Sequence, residues 1–595
     1  MSHRSPQDSS RLVHRPFRAA RAHCRSSPLR WILFAVVVTG WWGTHGHAQD
    51  RPADLVLIGG RLTTLDDSSR VATALAVRGD RIVAVGDDGD IRRFVGPATR
   101  VMELHGRLVI PGFIEGHGHF LSLGESKQKL DLTRTKSWEE VVALVAATAR
   151  NTPAGTWIIG RGWHQSKWQQ PPTPNIEGYP HHEQLSRAVP DHPVLLTHAS
   201  GHLCLANAKA MELAGVDRRT ADPPGGQLLR DADGQPIGVF RETASNLIER
   251  AYQRNRANRT APQRQREQDE ALRLATDECL ARGVTTFCDA GSSLATIGYF
   301  RRLAEGGQLR VRLWVMIRES PAVLAARLGD YRILGAGGYH LTVRAIKEFM
   351  DGALGTHGAW LLEPYADLPG STGLAVTPTN TLRDVARLAV EHDFQLCVHA
   401  IGDRANREVL DVFAAVFREH PEKTDLRWRI EHAQHLSPQD IPRFAPLGVI
   451  AAMQGIHATS DAPFVVERLG PRRAEEGAYI WQSLLKAGAV IANGTDTPVE
   501  SVDPIRCFYA SVTRKLPEGR TFYPQQCMTR RQALRSYTLD AAYAAFEENL
   551  KGSLTPGKLA DVVVLSKDIM SVPDEEILRA QVVCTIVGGK VVFER

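Results

Sequence analysis

The stretch VIPGFIEGHGHF, residues 109–120, runs from a short apolar segment into two histidines, His117 and His119, separated by one glycine. On a strand, residues i and i+2 project from the same face. The pair would leave one strand end together, close enough to share a metal ion, and imidazole is a common ligand for zinc-class cations. A His-x-His alone is a weak motif, because two surface histidines beside a Pro-Gly turn read the same way. The metal reading therefore requires ligands at other strand ends.

Working outward, apolar strand-like runs occur at residues 109–114, 284–288, 311–317, 342–346, 395–398, 428–430, 449–453 and 490–492. Most are followed by helical periodicity, as at 266–282, 381–392, 404–418 and 529–546. This alternation predicts an α/β fold, a (β/α)8 barrel over 109–552, with its chemistry at the C-terminal strand ends. Residues 121–265 are too long for one barrel loop and are expected to form a cap insertion after the first barrel strand. Within them, Ser137 and Glu140 form a capping-box signature for a helix over 137–150. Residues 49–108 and 553–595 are both strand-rich, and the reading joins them into a composite β-sandwich made from the two termini.

Four more polar residues stand just past apolar runs. Lys347 follows in TVRAIKEFMDG, His399 in QLCVHAIGD, His432 in WRIEHAQH and Asp496 in VIANGTDTPVE. Four neutral imidazoles and one carboxylate suit two divalent ions of the zinc class. Two dications call for a bridging anion. Burial makes a lysine lose its proton more easily, and a neutral Lys347 could add carbon dioxide to become a carbamate. The bland alternative is Lys347 paired with Glu348 or Asp351.

The N-terminus reads differently. Residues 1–48 hold seven arginines and one aspartate, an apolar run at 31–42, and Gly46 and Ala48 as small residues before a cleavage point. The run falls short of the roughly 20 residues that span a bilayer. A signal peptide is expected over 1–48, with a periplasmic or secreted product and no membrane association after cleavage. Without that segment the basic and acidic side chains balance, so a nucleic-acid partner has no support. The arginine-rich stretch 250–266 reads as a solvated helix face. The eight cysteines are scattered, with no CxxC pair, and read as buried free thiols.

With these residues in hand, the sequence resembles the amidohydrolase superfamily, in the branch that contains N-substituted formamide deformylase. PGFIEGHGH, IKEFMDGALGTHGA, HAIGDRA, RIEHAQ, MQGIHATSD and NGTDTPVES carry the resemblance. So do the cap segments GRGWHQSKW, HASGHLCLANAKAM and GGQLLRDADGQPIGVFRETA. The resemblance implies that His117, His119 and Asp496 bind one zinc ion, that His399 and His432 bind a second, and that carboxylated Lys347 bridges them. It further implies cleavage of an amide-type C–N bond by a metal-activated hydroxide, with Asp496 as catalytic proton shuttle. Trp163, His202 and Glu242 from the cap, and His457 and Asp461 after the seventh strand, are candidates to bind a small-molecule substrate. His164 departs from the family pattern, where an acidic residue is common. Deamination or ester and lactone hydrolysis on the same site, and a non-catalytic exported binding protein, are the rival readings. Lys347 argues against a mononuclear deaminase and Asp496 against a pure binder; a homodimer is left open.

Overall fold

Eight parallel strands organise the computed structural model, which describes residues 51–66 and 72–595; the expected signal at 1–48 lies outside them. In chain order they are β1 Phe113–Gly118, β2 Val284–Ser292, β3 Arg312–Ile317, β4 Leu341–Phe349, β5 Gln395–Ala400, β6 Arg429–His432, β7 Ile450–Met453 and β8 Ile491–Asn493. Each pairs in parallel with the next. The seam between β8 and β1 is drawn together just past the strand ends. There the Asp496 N–H donates to His117 O at 2.8 Å and the His119 N–H to Thr497 O at 2.7 Å. The result is a nearly closed parallel barrel in a mixed α/β fold.

The strands are buried on both faces, as parallel strands covered by helices must be. Outward residues such as Val343, Leu396, Val398 and Ile430 pack with Leu382, Val385, Val409 and Phe413 of the helices Thr379–Glu391 and Asp403–Glu419. Inward residues include Trp314, Met316, Ala345, Cys397, Ile450 and Ala492, which fill the lower barrel. Period two then places polar groups above this floor: Ala345 is followed by Lys347 on β4, and Cys397 by His399 on β5.

The run at 109–114 is not one strand. It divides at Gly112: Leu108–Pro111 pairs antiparallel with Val562–Leu565, and β1 begins at Phe113. A Cβ on Gly112 would lie 2.2 Å from Thr285 Oγ1, so no side chain fits where the chain crosses from one sheet to the other. The helical pattern at 529–546 likewise divides, into Arg530–Ser536 and Leu539–Ala544. Between them, the Tyr537 carbonyl accepts the Ile114 N–H of β1 at 2.8 Å.

Leu108–Pro111 belongs to a five-stranded sheet with Arg61–Leu62, Val562–Leu565, Val582–Val587 and Lys590–Glu594. A four-stranded sheet from residues 55–103 shares its apolar core, through Leu57, Leu75, Val109, Val564 and Ile586. Arg312, at the start of β3, ties this part to the barrel by donating from Nε and Nη2 to Asp561 at 2.8 and 3.0 Å.

Within 121–265 a six-stranded sheet runs in the order Gly226–Arg230, Pro236–Glu242, Leu203–Ala206, Val194–His198, Ile158–Trp163, Leu130–Asp131. It has an apolar cluster of its own around Trp138, Trp163, Trp168 and Tyr179, and another around Trp157, Leu195 and Phe240. Ser137 caps the helix Trp138–Ala149 by accepting the Glu140 N–H, as its sequence signature predicts. All seven cysteines among the described residues are free. No helix among them is long and apolar enough to cross a membrane.

Candidate metal centre

His117 ends β1 among buried side chains, and His119 caps the helix Phe120–Ser126, whose first N–H is held by Asp289 at 2.9 Å. The two rings stand nearly perpendicular, 5.8 Å apart. Asp496 follows β8 in the left-handed backbone region, φ 54°. Its Oδ1 lies 3.6 Å from His117 Nε2 and 3.3 Å from His119 Nε2. Ligand atoms of all three lie within 4.8 Å of one another, and this is the one such cluster of His, Cys, Asp or Glu among the described residues. The expected convergence is present, although the second histidine comes from a helix cap rather than from the strand.

What lies behind these ligands was not read from the sequence. His117 Nδ1 donates to Glu431 Oε2. Glu431 in turn accepts a hydrogen bond from Arg429 Nη2 at 3.0 Å, and the same Nη2 donates to Gly116 O at 2.7 Å. Burial would raise the Glu431 carboxyl, but the Arg429 guanidinium overrides it and holds the group ionised. Burial, and then the Lys347 charge, push His117 down to about 4. His117 is therefore a neutral imidazole donating to a carboxylate. Its other nitrogen, Nε2, keeps a lone pair with no partner in the protein, and Asp496 Oδ1 is equally unpartnered.

His432 and His399 line the same cavity. The His432 ring lies 4.7 Å from His117 and 4.5 Å from His399. His432 Nδ1 donates to Gln454 Oε1 at 2.7 Å, which leaves its other nitrogen as an acceptor. His399 turns Nε2 toward Asp351 Oδ1 at 3.5 Å. Burial holds both imidazoles well below the usual range, reinforced by His432 beside His399 and by His117 beside His432. They are neutral at physiological pH, the form a metal needs.

Lys347 is buried on β4 and lines the cavity with all five of these residues. Burial lowers its ammonium to about 8. Among the described residues no carboxylate oxygen lies within 4.0 Å of it, so the pairing with Glu348 or Asp351 is not made. Asp351 instead accepts the N–H groups of Ile401, Gly402 and Trp360 at 2.8–2.9 Å. Four imidazoles, one carboxylate, a buried amine without a carboxylate partner and the orphaned buried atoms His117 Nε2 and Asp496 Oδ1 make a donor set that fits divalent cations.

The proposed substrate residues divide. His202 and Glu242 face the centre: His202 Nδ1 and Glu242 Oε2 are 2.8 Å apart, and the His202 ring is 4.9 Å from His399. A Cβ on Gly352 would lie 2.0 Å from Glu242 Oε1, so this glycine makes room for the dyad. His457 and Asp461 line a smaller lobe of the site. His457 is paired with Gln434 Nε2 at 3.0 Å, and Asp461 accepts the Tyr479 hydroxyl at 2.6 Å. Trp163 corrects the expectation. Its ring is fully buried against Trp168, 5.8 Å away, and its Nε1 is spent on Leu196 O at 3.0 Å. It lines neither lobe. Glu115, one turn of the pleat below His117, was also missed. It accepts Thr495 N and Oγ1 at 2.6 and 3.0 Å, and burial raises its carboxyl to about 8.

The sequence profile described as the amidohydrolase family matches residues 100–593. The chain belongs to the amidohydrolase family. This amidohydrolase is 32% identical to the protein LONG AFTER FAR-RED 3 of Arabidopsis thaliana over 91% of its own length and 92% of the relative. It is 28% identical to N-substituted formamide deformylase of Arthrobacter pascens, over 91% of this chain and 98% of that one. Among solved structures it resembles an uncharacterized metal-dependent hydrolase from Pyrococcus horikoshii at 25% identity and TM-score 0.69, covering 88% of this amidohydrolase and 99% of that chain. It is thus a hydrolase on a barrel scaffold, in the superfamily branch that its motifs indicate.

Proposed function

We propose that this amidohydrolase cleaves an amide-type C–N bond in a small molecule. His117, His119 and Asp496 would hold one zinc ion, His399 and His432 a second, with N6-carboxylated Lys347 between them. The observation that carries the reading is the meeting of His117 Nε2, His119 Nε2 and Asp496 Oδ1 at the barrel mouth, in one cavity with Lys347, His399 and His432. Such cations, when bound, lower the pKa of water and polarise a carbonyl oxygen.

The chain's own residues supply the rest. Burial would raise the Asp496 carboxyl, but the adjacent imidazoles of His119 and His117 hold it well below the usual range. As a carboxylate it takes a proton from the attacking water and returns it to the leaving nitrogen, so that an amine departs neutral. Lys347, its ammonium lowered by burial, presents the neutral amine that adds carbon dioxide and releases one proton. Glu431 and Gln454 fix the tautomers of His117 and His432. The His202–Glu242 dyad and His457 orient substrate around the scissile bond.

In this reading residues 121–265 act as a cap, the two terminal sheets form one composite β-sandwich, and residues 1–48 direct the protein to the periplasm or outside. The amide-cleaving relative and the metal-dependent hydrolase structure support the chemistry. The test is elemental analysis of zinc-supplied protein with an activity screen over amides, ureas, lactones and aminated heterocycles. Two metal ions per chain and amide turnover are expected. Protein that holds its metal but turns over only lactones or aminated heterocycles would move the reading to ester cleavage or deamination.

A further inference from the structure

Arg161 stands where the residue 121–265 insertion meets the metal centre. It lies on the strand Ile158–Trp163, two residues before Trp163, and strict alternation would point both side chains the same way. The strand carries a bulge there. Arg161 pairs with Thr197 and Trp163 with His198, which leaves Gly162 as the extra residue, at φ 105°. Trp163 therefore enters the insertion's own core, while Arg161 lines the main lobe of the cavity with His117, His119 and Asp496. Its Nη2 donates to Ala199 O at 3.1 Å and its Nε to Pro498 O at 3.4 Å, and it has no carboxylate partner among the described residues. Nη1 donates to nothing among them and is reachable by solvent. Burial lowers the guanidinium to about 10, so it is charged at neutral pH. The glutamates of the same lobe are otherwise engaged. Glu242 is bound to His202, Glu249 to Gln253 and Glu319 to the Leu294 N–H, and burial raises Glu348 to about 7.

A further cavity of about 630 Å3 shares Arg161, Pro498 and Val499 with the main lobe, and His164, Lys167 and Glu500 with the smaller one. Its lining is basic. Arg134, Lys167 and Arg506 have no carboxylate partner among the described residues, whereas Lys127 and Lys129 are paired with Glu278 and Glu125 at 3.2 and 3.3 Å. Of the acids in this lining, Asp131 and Glu500 alone are without a cation. We propose that Arg161 is a specificity-determining residue that holds a carboxylate of the substrate, at the inner end of an anion-binding subsite formed with Lys167, Arg134 and Arg506. The substrates are then amides that bear an anionic group. The inference rests on the amide reading of the site. A guanidinium drawn out of bulk water without a counter-anion is costly, and a ligand anion offsets that cost. Its planar donor fork matches the two oxygens of a carboxylate. The three outer cations attract the same charge at longer range.

The experiment uses zinc-loaded enzyme and two pairs of amides, each a carboxylate and its uncharged carboxamide. N-acetyl-β-alanine and its carboxamide carry the group on the amine side, and N-benzylsuccinamate and its carboxamide carry it on the acyl side. In at least one pair the carboxylate is expected to lead in kcat/KM by about 10–100-fold, the span of a hydrogen bond to a charged group. The pair that does so shows which side faces Arg161. Arg161→Met and Arg161→Gln should each erase that lead, through KM more than kcat, and Arg161→Lys, which keeps the charge, should retain part of it. A purely structural Arg161 would lower both members of a pair alike. No lead in either pair, or a lead unchanged in both neutral variants, overturns the proposal. If no amide is cleaved, the amide reading fails by itself. Calorimetric binding of succinate to the zinc-loaded enzyme then tests the subsite directly. Binding about tenfold weaker in Arg161→Gln, at equal zinc content, is expected, and equal binding overturns the proposal.

Discussion

His117 and Glu431 lie 314 residues apart in the chain and share one buried hydrogen bond, from the imidazole Nδ1 to the carboxylate. The contact fixes the tautomer that leaves Nε2 free toward Asp496. Partners of this kind are worth about 10–100-fold in metal affinity. Glu431→Gln should weaken zinc binding by about that factor in a competitive chelator titration, with unchanged circular dichroism. Unaltered affinity would show that the contact does not orient the ligand.

Asp496→Asn keeps the shape of the side chain and removes its basicity. Turnover of the best amide should fall by about 10²–10⁴-fold, the range of a general acid–base group. Mass spectrometry under native conditions should still find bound metal. A variant with near-normal kcat would remove Asp496 from proton transfer.

Lys347 has its ammonium lowered to about 8 by burial. The neutral amine, which alone adds carbon dioxide, therefore accumulates as pH rises through about 8. Protein incubated with ¹³C-bicarbonate should show a carbamate resonance that grows between about pH 7 and pH 9. Lys347→Met should lack that resonance and bind fewer zinc ions than the unaltered chain. A full complement of metal in the variant would count against a bridging lysine.

Arg312 and Asp561 make a buried ion pair between β3 and the C-terminal strands, with Gly588 N–H as a third donor to Asp561 at 2.8 Å. Burial opposes the Asp561 charge, but Arg312 overrides it and the carboxyl sits below its ordinary value. A depressed carboxyl contributes stability above its unfolded pKa of about 3.9, and that stability is lost as pH falls through the folded value. Asp561→Asn leaves Arg312 buried and uncompensated and should cost about 3–5 kcal/mol near pH 7. In urea melts the gap between variant and unaltered protein should narrow below about pH 4. A gap that stays constant there would mean that the pair is not the source.

Gly352→Ala would set a methyl 2.0 Å from Glu242 Oε1. It should displace the Glu242–His202 dyad and raise KM more than it lowers melting temperature. A loss confined to stability would place the dyad outside substrate binding.

The candidate ligands were legible because their signal is local. An apolar run with period two, ending in His or Asp, states both where a strand opens and what it offers there, as at His399 and His432. Arg429 and Glu431 carried a comparable signal: two charged residues at period two, on a strand expected to be buried on both faces, must point into the barrel. Their partners were not legible, because the bonds cross the barrel to Gly116 and His117. Trp163 misled for the opposite reason. A tryptophan beside a cap histidine looks like a substrate contact until the sheet turns its ring into the insertion's own core.

By itself the sequence determined the alternation of strands and helices, the residue types at the barrel mouth and the family to which the chain belongs. The tertiary structure decided the hinge at Gly112 and the tether of His117 to Glu431. Periodicity and turn chemistry act over a few residues and can be read along the chain. Ring-to-ring packing and buried charge pairs depend on the register and closure of strands hundreds of residues apart, which set distances that no local pattern encodes.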